Sequence, residues 1–212
     1  MKNFGRVFIL GDSYSTFEGH IPAGYEPYYK KKDTPYSSLN DVTLTWWHRL
    51  IKNTGSKLLM NCSWSGTTIC HTGYNGADCS DKSFIARMDK LIETGFFKEN
   101  VPDTLFVFGG TNDSWADSPI GSLMYDGWKK EDLYSVLPAF CYLLSRIKEL
   151  LPQTRVVCII NCDIKDEIVH NFKEICQKYD AQCIALYDID KENGHPTALG
   201  MEQIESQIAA IL

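Results

Sequence analysis

The chain has 212 residues, of which 44% are hydrophobic and 23% are charged, and its formal net charge is −6. This composition is typical of a globular protein in water, and the negative charge argues against a nucleic-acid-binding surface. No stretch approaches the roughly 20 apolar residues of a membrane-spanning helix, and no apolar signal segment precedes the first predicted strand. We therefore expect a cytoplasmic protein without nucleic-acid or membrane partners.

The first predicted strand leads directly to a serine. Residues 7–10 are all apolar, which fits a strand that is covered on both faces. Gly11 then allows the backbone to turn sharply. Ser13 is therefore predicted at the carboxyl end of a strand, which is where open α/β sheets place their ligands.

The rest of the chain alternates between helical and strand patterns. In order, it predicts a helix over 43–52, a strand over 57–61, a helix over 83–93, a strand over 104–108, a helix over 131–151, a strand over 155–160, a helix over 166–179, a strand over 183–186 and a helix over 198–212. Long irregular segments, of the kind that often shape binding sites, cover 14–41, 63–80 and 114–128.

This alternation predicts one domain, 1–212, with a five-stranded parallel sheet, because parallel strands need crossover helices between them. The expected fold class is α/β, a three-layer α/β/α sandwich of the flavodoxin-like type, with strand order 2-1-3-4-5.

The eight cysteines show neither zinc-ligand spacing nor the pattern of a small disulfide scaffold. Most fall in predicted strands or helices, so we expect reduced and mostly buried thiols, and no metal site. A loop disulfide between Cys70 and Cys79 is the alternative.

Polar and small residues follow several of the predicted strands. Residues 11–13, 61–66 and 109–113 end the first three strands, and the acidic loop 188–195 follows the fifth. All of these segments open on the same edge of a parallel sheet, so they converge although they are far apart in sequence.

The converging residues supply the parts of a serine acyl-transfer site. Ser13 is the candidate nucleophile and His195 the candidate base. The N–H groups of Ser13 and Gly66 and the side-chain amide of Asn112 are candidate donors to the developing oxyanion. This chemistry requires no metal or organic cofactor.

These residues resemble a known family. Gly11-Asp12-Ser13, Gly66, Gly110-Thr111-Asn112-Asp113 and His195-Pro196 are similar, in order and approximate spacing, to the four blocks of the SGNH (GDSL-type) hydrolases. The resemblance implies a flavodoxin-like esterase or lipase fold, a Ser-His-Asp type triad, and an oxyanion hole from Ser13, Gly66 and Asn112.

One position departs from the pattern of that family, whose last block is usually Asp-x-x-His. The residue three before His195 is Glu192, and we expect it to be the acid of the triad. Asp190, Asp188 or a backbone carbonyl could orient the histidine instead, and a carbonyl would leave a Ser-His dyad.

Several other side chains have expected roles near this edge. Asp12 is expected to shape the turn rather than act as a base. Trp64 and Trp115, on the adjoining loops, are candidate walls for a sugar or acyl group. His71 is a candidate substrate contact, and Arg87 is expected to be a surface residue or a helix-to-loop anchor.

The expected function is a serine esterase that hydrolyses a small-molecule or carbohydrate ester, with a short acyl or acetyl group. The polar loops argue against a long-chain lipase. An acyltransferase that uses the same residues is one alternative, and a non-catalytic flavodoxin-like binding module is another, although the chain lacks a G-x-G-x-x-G or P-loop sequence.

Overall fold

A five-stranded sheet forms the centre of the computed structural model, which describes residues 3–212. The five strands of this sheet are parallel and their order is β2-β1-β3-β4-β5, so the predicted fold class and strand order are confirmed. The strands are β1 (Arg6–Gly11), β2 (Lys57–Ser63), β3 (Thr104–Phe108), β4 (Arg155–Ile160) and β5 (Gln182–Ala185).

Helices cover both faces of the sheet. The helices are α1 (Trp46–Thr54), α2 (Phe84–Glu93), the short α3 (Phe96–Glu99) and α4 (Thr111–Trp115), α5 (Val136–Leu150), α6 (Asp166–Lys178) and α7 (Ala198–Ile211). Successive side chains of a strand point to opposite faces. Val7 and Ile9 accordingly pack in the core beneath α1 and α7, whereas Phe8 and Leu10 pack in the core beneath α2, α5 and α6.

The strand register brings the ends of the three neighbouring strands level with one another. Gly11 at the end of β1 is paired with Ser63 of β2 and with Phe108 of β3. Phe108 is in turn paired with Ile159 of β4. The segments that follow these strands therefore begin at one edge of the sheet, which positions the candidate site.

Two helices begin later than the sequence pattern predicts. The predicted helix over 131–151 is a 3-10 turn, Lys130–Tyr134, followed by α5 from Val136. Pro138 explains the break, because proline has no N–H to donate and is tolerated only in the first turn of a helix. Likewise, α1 begins at Trp46 rather than at residue 43, because Asp41 caps a separate 3-10 turn, Val42–Leu44.

A two-stranded hairpin before α7 is absent from the sequence-based prediction. It pairs β6 (Lys191–Glu192) with β7 (His195–Pro196) in antiparallel register, and Glu192 lies opposite His195. The hairpin matters because it carries the candidate base.

The cysteines are free thiols, six of them buried, and Cys70 and Cys79 do not form a disulfide. Within residues 3–212, no helix is both long and apolar enough to cross a membrane. No group of three or more potential metal-ligating side chains is found in that part of the chain either.

Candidate active site

Ser13 begins a three-residue 3-10 turn, Ser13–Ser15, immediately after β1. Asp12 caps this turn by accepting a hydrogen bond from the Tyr14 N–H at 3.0 Å. Gly11 is required before it, since a Cβ at this position would lie 2.6 Å from the Ser63 Oγ and 2.8 Å from the Ser15 Oγ. The structure thus gives Asp12 the turn-shaping position that the sequence predicts for it.

His195 reaches Ser13 from the β6–β7 hairpin. The hairpin turn is Asn193-Gly194, with φ angles of 49° and 76°, as a tight two-residue type I′ turn requires. The Nε2 atom of His195 lies 2.9 Å from the Ser13 Oγ. The predicted nucleophile and base are therefore within hydrogen-bonding distance, although 182 positions separate them in the chain.

The second ring nitrogen of His195 fixes the direction of this hydrogen bond. Nδ1 lies 3.1 Å from the backbone carbonyl of Asn193. A carbonyl can only accept, so Nδ1 carries the proton of the neutral ring and Nε2 accepts from the Ser13 hydroxyl. This is the tautomer that a general base needs.

The carboxylates that were candidates for the triad acid make no hydrogen bond to the ring. Within residues 3–212, the hydrogen-bond partners of the His195 nitrogens are Ser13 and Asn193. Glu192 is exposed. Asp190 instead accepts a hydrogen bond from the Thr197 hydroxyl at the start of α7. Glu192 lies opposite His195 in the hairpin, but within residues 3–212 it makes no hydrogen bond to the ring, and the Asn193 carbonyl is the partner of Nδ1.

Aromatic rings enclose His195. The ring of Tyr28 stacks on the imidazole with centroids 3.6 Å apart and planes 10° apart. Tyr14 and Trp115 lie at 5.4 Å and 5.8 Å from it. This burial lowers the pKa of His195 below its ordinary value, with Lys191 adding to the effect. The imidazole is therefore neutral, and able to accept a proton, at neutral pH.

Hydroxyl groups from the 14–41 segment also hold the hairpin. The Tyr14 hydroxyl donates to the Gly194 carbonyl at 2.6 Å and accepts from the Asn161 amide at 3.1 Å. The Tyr29 hydroxyl donates to the Pro196 carbonyl at 2.8 Å. No local sequence pattern marks these tyrosines, because their contacts join segments that are distant in the chain.

The three candidate oxyanion donors lie at the same edge of the sheet. Asn112, in the first turn of α4, donates from Nδ2 to the Thr67 carbonyl at 3.0 Å, which places its amide beside the Gly66 loop. Gly66 has a φ of 74°, and a Cβ there would meet nothing within 4 Å. Within the described residues, the backbone N–H groups of Ser13 and Gly66 have no protein acceptor, so both remain available to a ligand.

Arg87 is an anchor of this edge and not a surface residue. It is 1% exposed and lies on α2. Its guanidinium donates to the Gly11 carbonyl and the Thr67 hydroxyl, both at 3.1 Å, and to the Cys62 carbonyl. It thereby ties the ends of β1 and β2 to the Gly66 loop, which confirms the anchor alternative and corrects the surface one.

Asp113 holds the same loop from the other side. Its carboxylate accepts hydrogen bonds from the N–H groups of Ile69, at 2.9 Å, and Cys70, at 3.1 Å. Complete burial raises its pKa to about 6. Burial likewise raises the pKa of Asp12 to about 7, and the nearby charge of Asp113 adds to that shift.

The remaining candidate residues occupy different surroundings. Trp115 is 39% exposed and its ring lies 5.8 Å from that of His195, so it stays a candidate wall of the site. Trp64 stacks on Tyr25 with centroids 4.2 Å apart. His71 pairs through Nδ1 with the Ser83 hydroxyl at 2.9 Å, at the start of α2, and nothing in the structure links it to Ser13.

The family model and the most similar solved structures point to the same family. The family model for GDSL-like lipases/acylhydrolases matches residues 5–212. A GDSL-like lipase structure from Bacteroides ovatus is 45% identical and has a TM-score of 0.91, over 100% of this chain and 97% of that one. One from Bacteroides uniformis is also 45% identical with a TM-score of 0.91, over 98% and 95% of the two chains.

More distant structures share the fold alone. A family two carbohydrate esterase from Clostridium thermocellum is 15% identical with a TM-score of 0.67, over 100% of this chain and 64% of that one. Among curated proteins, the chain has no match.

Proposed function

Because the chain belongs to the GDSL-like lipase/acylhydrolase family, we propose that it hydrolyses short-chain carboxylic esters, above all acetyl esters, through an acyl-enzyme on Ser13. The ester-hydrolysing class follows from the family. The observation that supports the roles of individual residues is the 2.9 Å contact between the Ser13 Oγ and the His195 Nε2.

In the first half-reaction, the Ser13 oxygen attacks the ester carbonyl while its proton passes to the His195 Nε2. The negative charge that develops on the carbonyl oxygen is met by the N–H groups of Ser13 and Gly66 and by the Asn112 amide. His195 then gives its proton to the departing alkoxide, so that an alcohol leaves and the acyl group remains on Ser13. Attack by water, with the same proton transfers, releases the acid and restores the serine.

The orienting group for His195 in this proposal is the Asn193 carbonyl and not a carboxylate. It accepts a hydrogen bond from the Nδ1–H at 3.1 Å throughout the cycle and keeps Nε2 directed at Ser13. The ring of Tyr28, whose centroid lies 3.6 Å from that of the imidazole, packs flat against the imidazole and keeps it in this orientation. A Ser-His dyad with this support fits the contacts better than a triad through Glu192.

Burial of the nucleophile supports a short acyl group. Ser13 is 2% exposed and Asn112 is 3% exposed, which leaves little room beside the reacting carbonyl. Two exposed aromatic residues border the reacting groups, namely Trp115 beside His195, 39% exposed, and Tyr74 on Asn112, 41% exposed. Flat aromatic rings beside polar loops suit a sugar ring, so an acetylated carbohydrate is the candidate natural substrate.

Covalent labelling tests this function. A fluorophosphonate probe should label the wild-type protein at a single site, and Ser13→Ala should abolish the labelling while Ser15→Ala, two residues away, retains it. On p-nitrophenyl esters, kcat/KM should fall as the acyl chain lengthens from acetyl to octanoyl. Activity is lost when His195 becomes protonated, and burial lowers the pKa of His195. In a plot of kcat/KM against pH, the loss of activity on the acidic side should therefore occur below the ordinary histidine pKa.

The same panel separates the proposal from its alternatives. Folded wild-type protein that is not labelled would refute the acyl-enzyme and favour a binding module. A labelled enzyme that prefers octanoyl esters would refute the short-acyl assignment only. Hydrolysis of acetylated sugars, against unacetylated controls, identifies the alcohol side.

A further inference from the structure

Asn112, the proposed side-chain donor to the oxyanion, is hydrogen-bonded to the hydroxyl of Tyr74. The Tyr74 hydroxyl lies 2.8 Å from the Asn112 Oδ1. An amide oxygen can only accept, so Tyr74 is the donor in this hydrogen bond. Tyr74 belongs to the irregular 63–80 segment, whereas Asn112 follows β3, and 38 positions separate them in the chain.

The Asn112 amide makes one hydrogen bond through its nitrogen and one through its oxygen. The Thr67 carbonyl takes one hydrogen of Nδ2 at 3.0 Å, and the Tyr74 hydroxyl satisfies Oδ1. One hydrogen of Nδ2 then remains for the oxyanion. A flipped amide would set its oxygen against the Thr67 carbonyl, so the contacts select the orientation in which Nδ2 lies on the side of the Gly66 loop.

The segment that carries Tyr74 is itself held in place. Tyr74 begins a 3-10 turn, Tyr74–Gly76, and the Gly73 N–H donates to the Ala77 carbonyl at 2.8 Å across its base. The Thr72 hydroxyl donates to the Tyr134 carbonyl at 2.7 Å. The phenol therefore reaches Asn112 from a fixed base, although the residue as a whole is 41% exposed.

The protonation state of Tyr74 suits a permanent donor. Burial of the hydroxyl, together with the charges of Asp12 and Asp113, raises its pKa to about 12. The phenol keeps its proton over the whole pH range in which a neutral histidine base works. A hydrogen bond to Oδ1 also polarises the amide, which strengthens donation from Nδ2.

We propose that Tyr74 is a positioning residue of the oxyanion hole, which holds and polarises the Asn112 amide through its hydroxyl. It acts through Asn112 and not on the reacting atoms. This inference rests on the proposed function, because it assumes that Asn112 stabilises the oxyanion.

A double-mutant cycle tests it. Asn112→Ala should lower kcat about 100- to 1000-fold, the usual loss for one oxyanion donor. Tyr74→Phe should lower kcat about three- to tenfold with KM unchanged, because one neutral hydrogen bond is lost in the transition state. In the Asn112→Ala background, Tyr74→Phe should have no further effect. Tyr134→Phe is the matched control, since its hydroxyl binds Asp78 of the same segment and should leave kcat within about twofold.

The outcomes separate the inference from the function on which it rests. If Asn112→Ala is slow but Tyr74→Phe has full activity, changes only KM, or lowers kcat equally in both backgrounds, Tyr74 has no positioning role. If Asn112→Ala keeps full activity, the oxyanion assignment itself is wrong and the inference falls with it. Thermal unfolding of each variant shows whether a loss of activity is a loss of fold.

Discussion

The two sides of the candidate site are held by different kinds of interaction. On the oxyanion side, meaning the Gly66 loop and Asn112, the supports are the buried charges of Arg87 and Asp113. On the histidine side, meaning the β6–β7 hairpin, the supports are neutral tyrosine hydroxyls and stacked rings.

This difference has energetic consequences. A buried charge that loses its partners, or partners that lose a buried charge, destabilise a protein strongly. Neutral hydrogen bonds contribute about 1 kcal/mol each. Replacing either buried charge of the oxyanion side, Arg87 or Asp113, should therefore destabilise the fold, whereas substitutions on the histidine side should misplace the base and leave the fold largely intact.

The largest effect is expected for Arg87→Met. The variant keeps a long apolar side chain but removes the guanidinium donor to the buried Cys62 carbonyl and the Thr67 hydroxyl, and leaves the Gly11 carbonyl with only the Trp64 N–H. The free energy of unfolding should fall by about 3–5 kcal/mol. Urea denaturation at neutral pH measures it, and Arg146→Met is the matched control, because its surface ion pair with Glu149 contributes at most about 1 kcal/mol. If Arg87→Met and Arg146→Met lost the same free energy of unfolding, Arg87 would not stabilise the oxyanion side as a buried charge.

Tyr14→Phe tests the histidine side and should act mainly on activity. The ring remains packed, but the Gly194 carbonyl loses its 2.6 Å donor and the turn that carries His195 is less well fixed. We expect kcat/KM to fall about tenfold and the free energy of unfolding to fall by only about 1 kcal/mol. Tyr142→Phe, whose hydroxyl binds Asp89 away from the hairpin, should be close to wild type in activity. A Tyr14→Phe variant with full activity would show that the hairpin holds His195 without this hydroxyl.

The sequence alone predicts which residues meet at the site, but it does not predict the hydrogen bonds that support the oxyanion side. The strand order and the convergence of Ser13 with His195 follow from chain-wide alternation of elements and from the geometry of parallel sheets. The β6–β7 hairpin carries a local sequence signal, because Asn193-Gly194 is a typical type I′ turn sequence. Recognising that turn predicts the hairpin and places His195 opposite Glu192, but it does not predict which group accepts from the ring.

The supports on the oxyanion side could not be predicted in the same way. Arg87 occupies a helix in which a charged residue normally faces solvent, and its burial depends on four acceptors, three of which come from segments distant in the chain. The contact between Tyr74 and Asn112 depends on how the irregular 63–80 segment folds back over the strand ends, which no periodic pattern encodes. Tertiary hydrogen bonds between distant segments leave no trace in local spacing.

The smallest effect is expected at the carboxylate that the family pattern makes the obvious triad acid. Replacing the aspartate of a Ser-His-Asp triad by its amide lowers kcat by about 10,000-fold, because the histidine adopts the wrong tautomer. Here the Asn193 carbonyl already accepts the Nδ1 proton at 3.1 Å, so Glu192→Gln should keep kcat within about twofold of wild type on an activated acetyl ester. Asp190→Asn is the matched comparison, since it alters the cap of α7 and should affect stability more than rate. A loss of 100-fold or more in Glu192→Gln, without unfolding, would mean that the glutamate moves onto the ring during catalysis and that the site works as a triad.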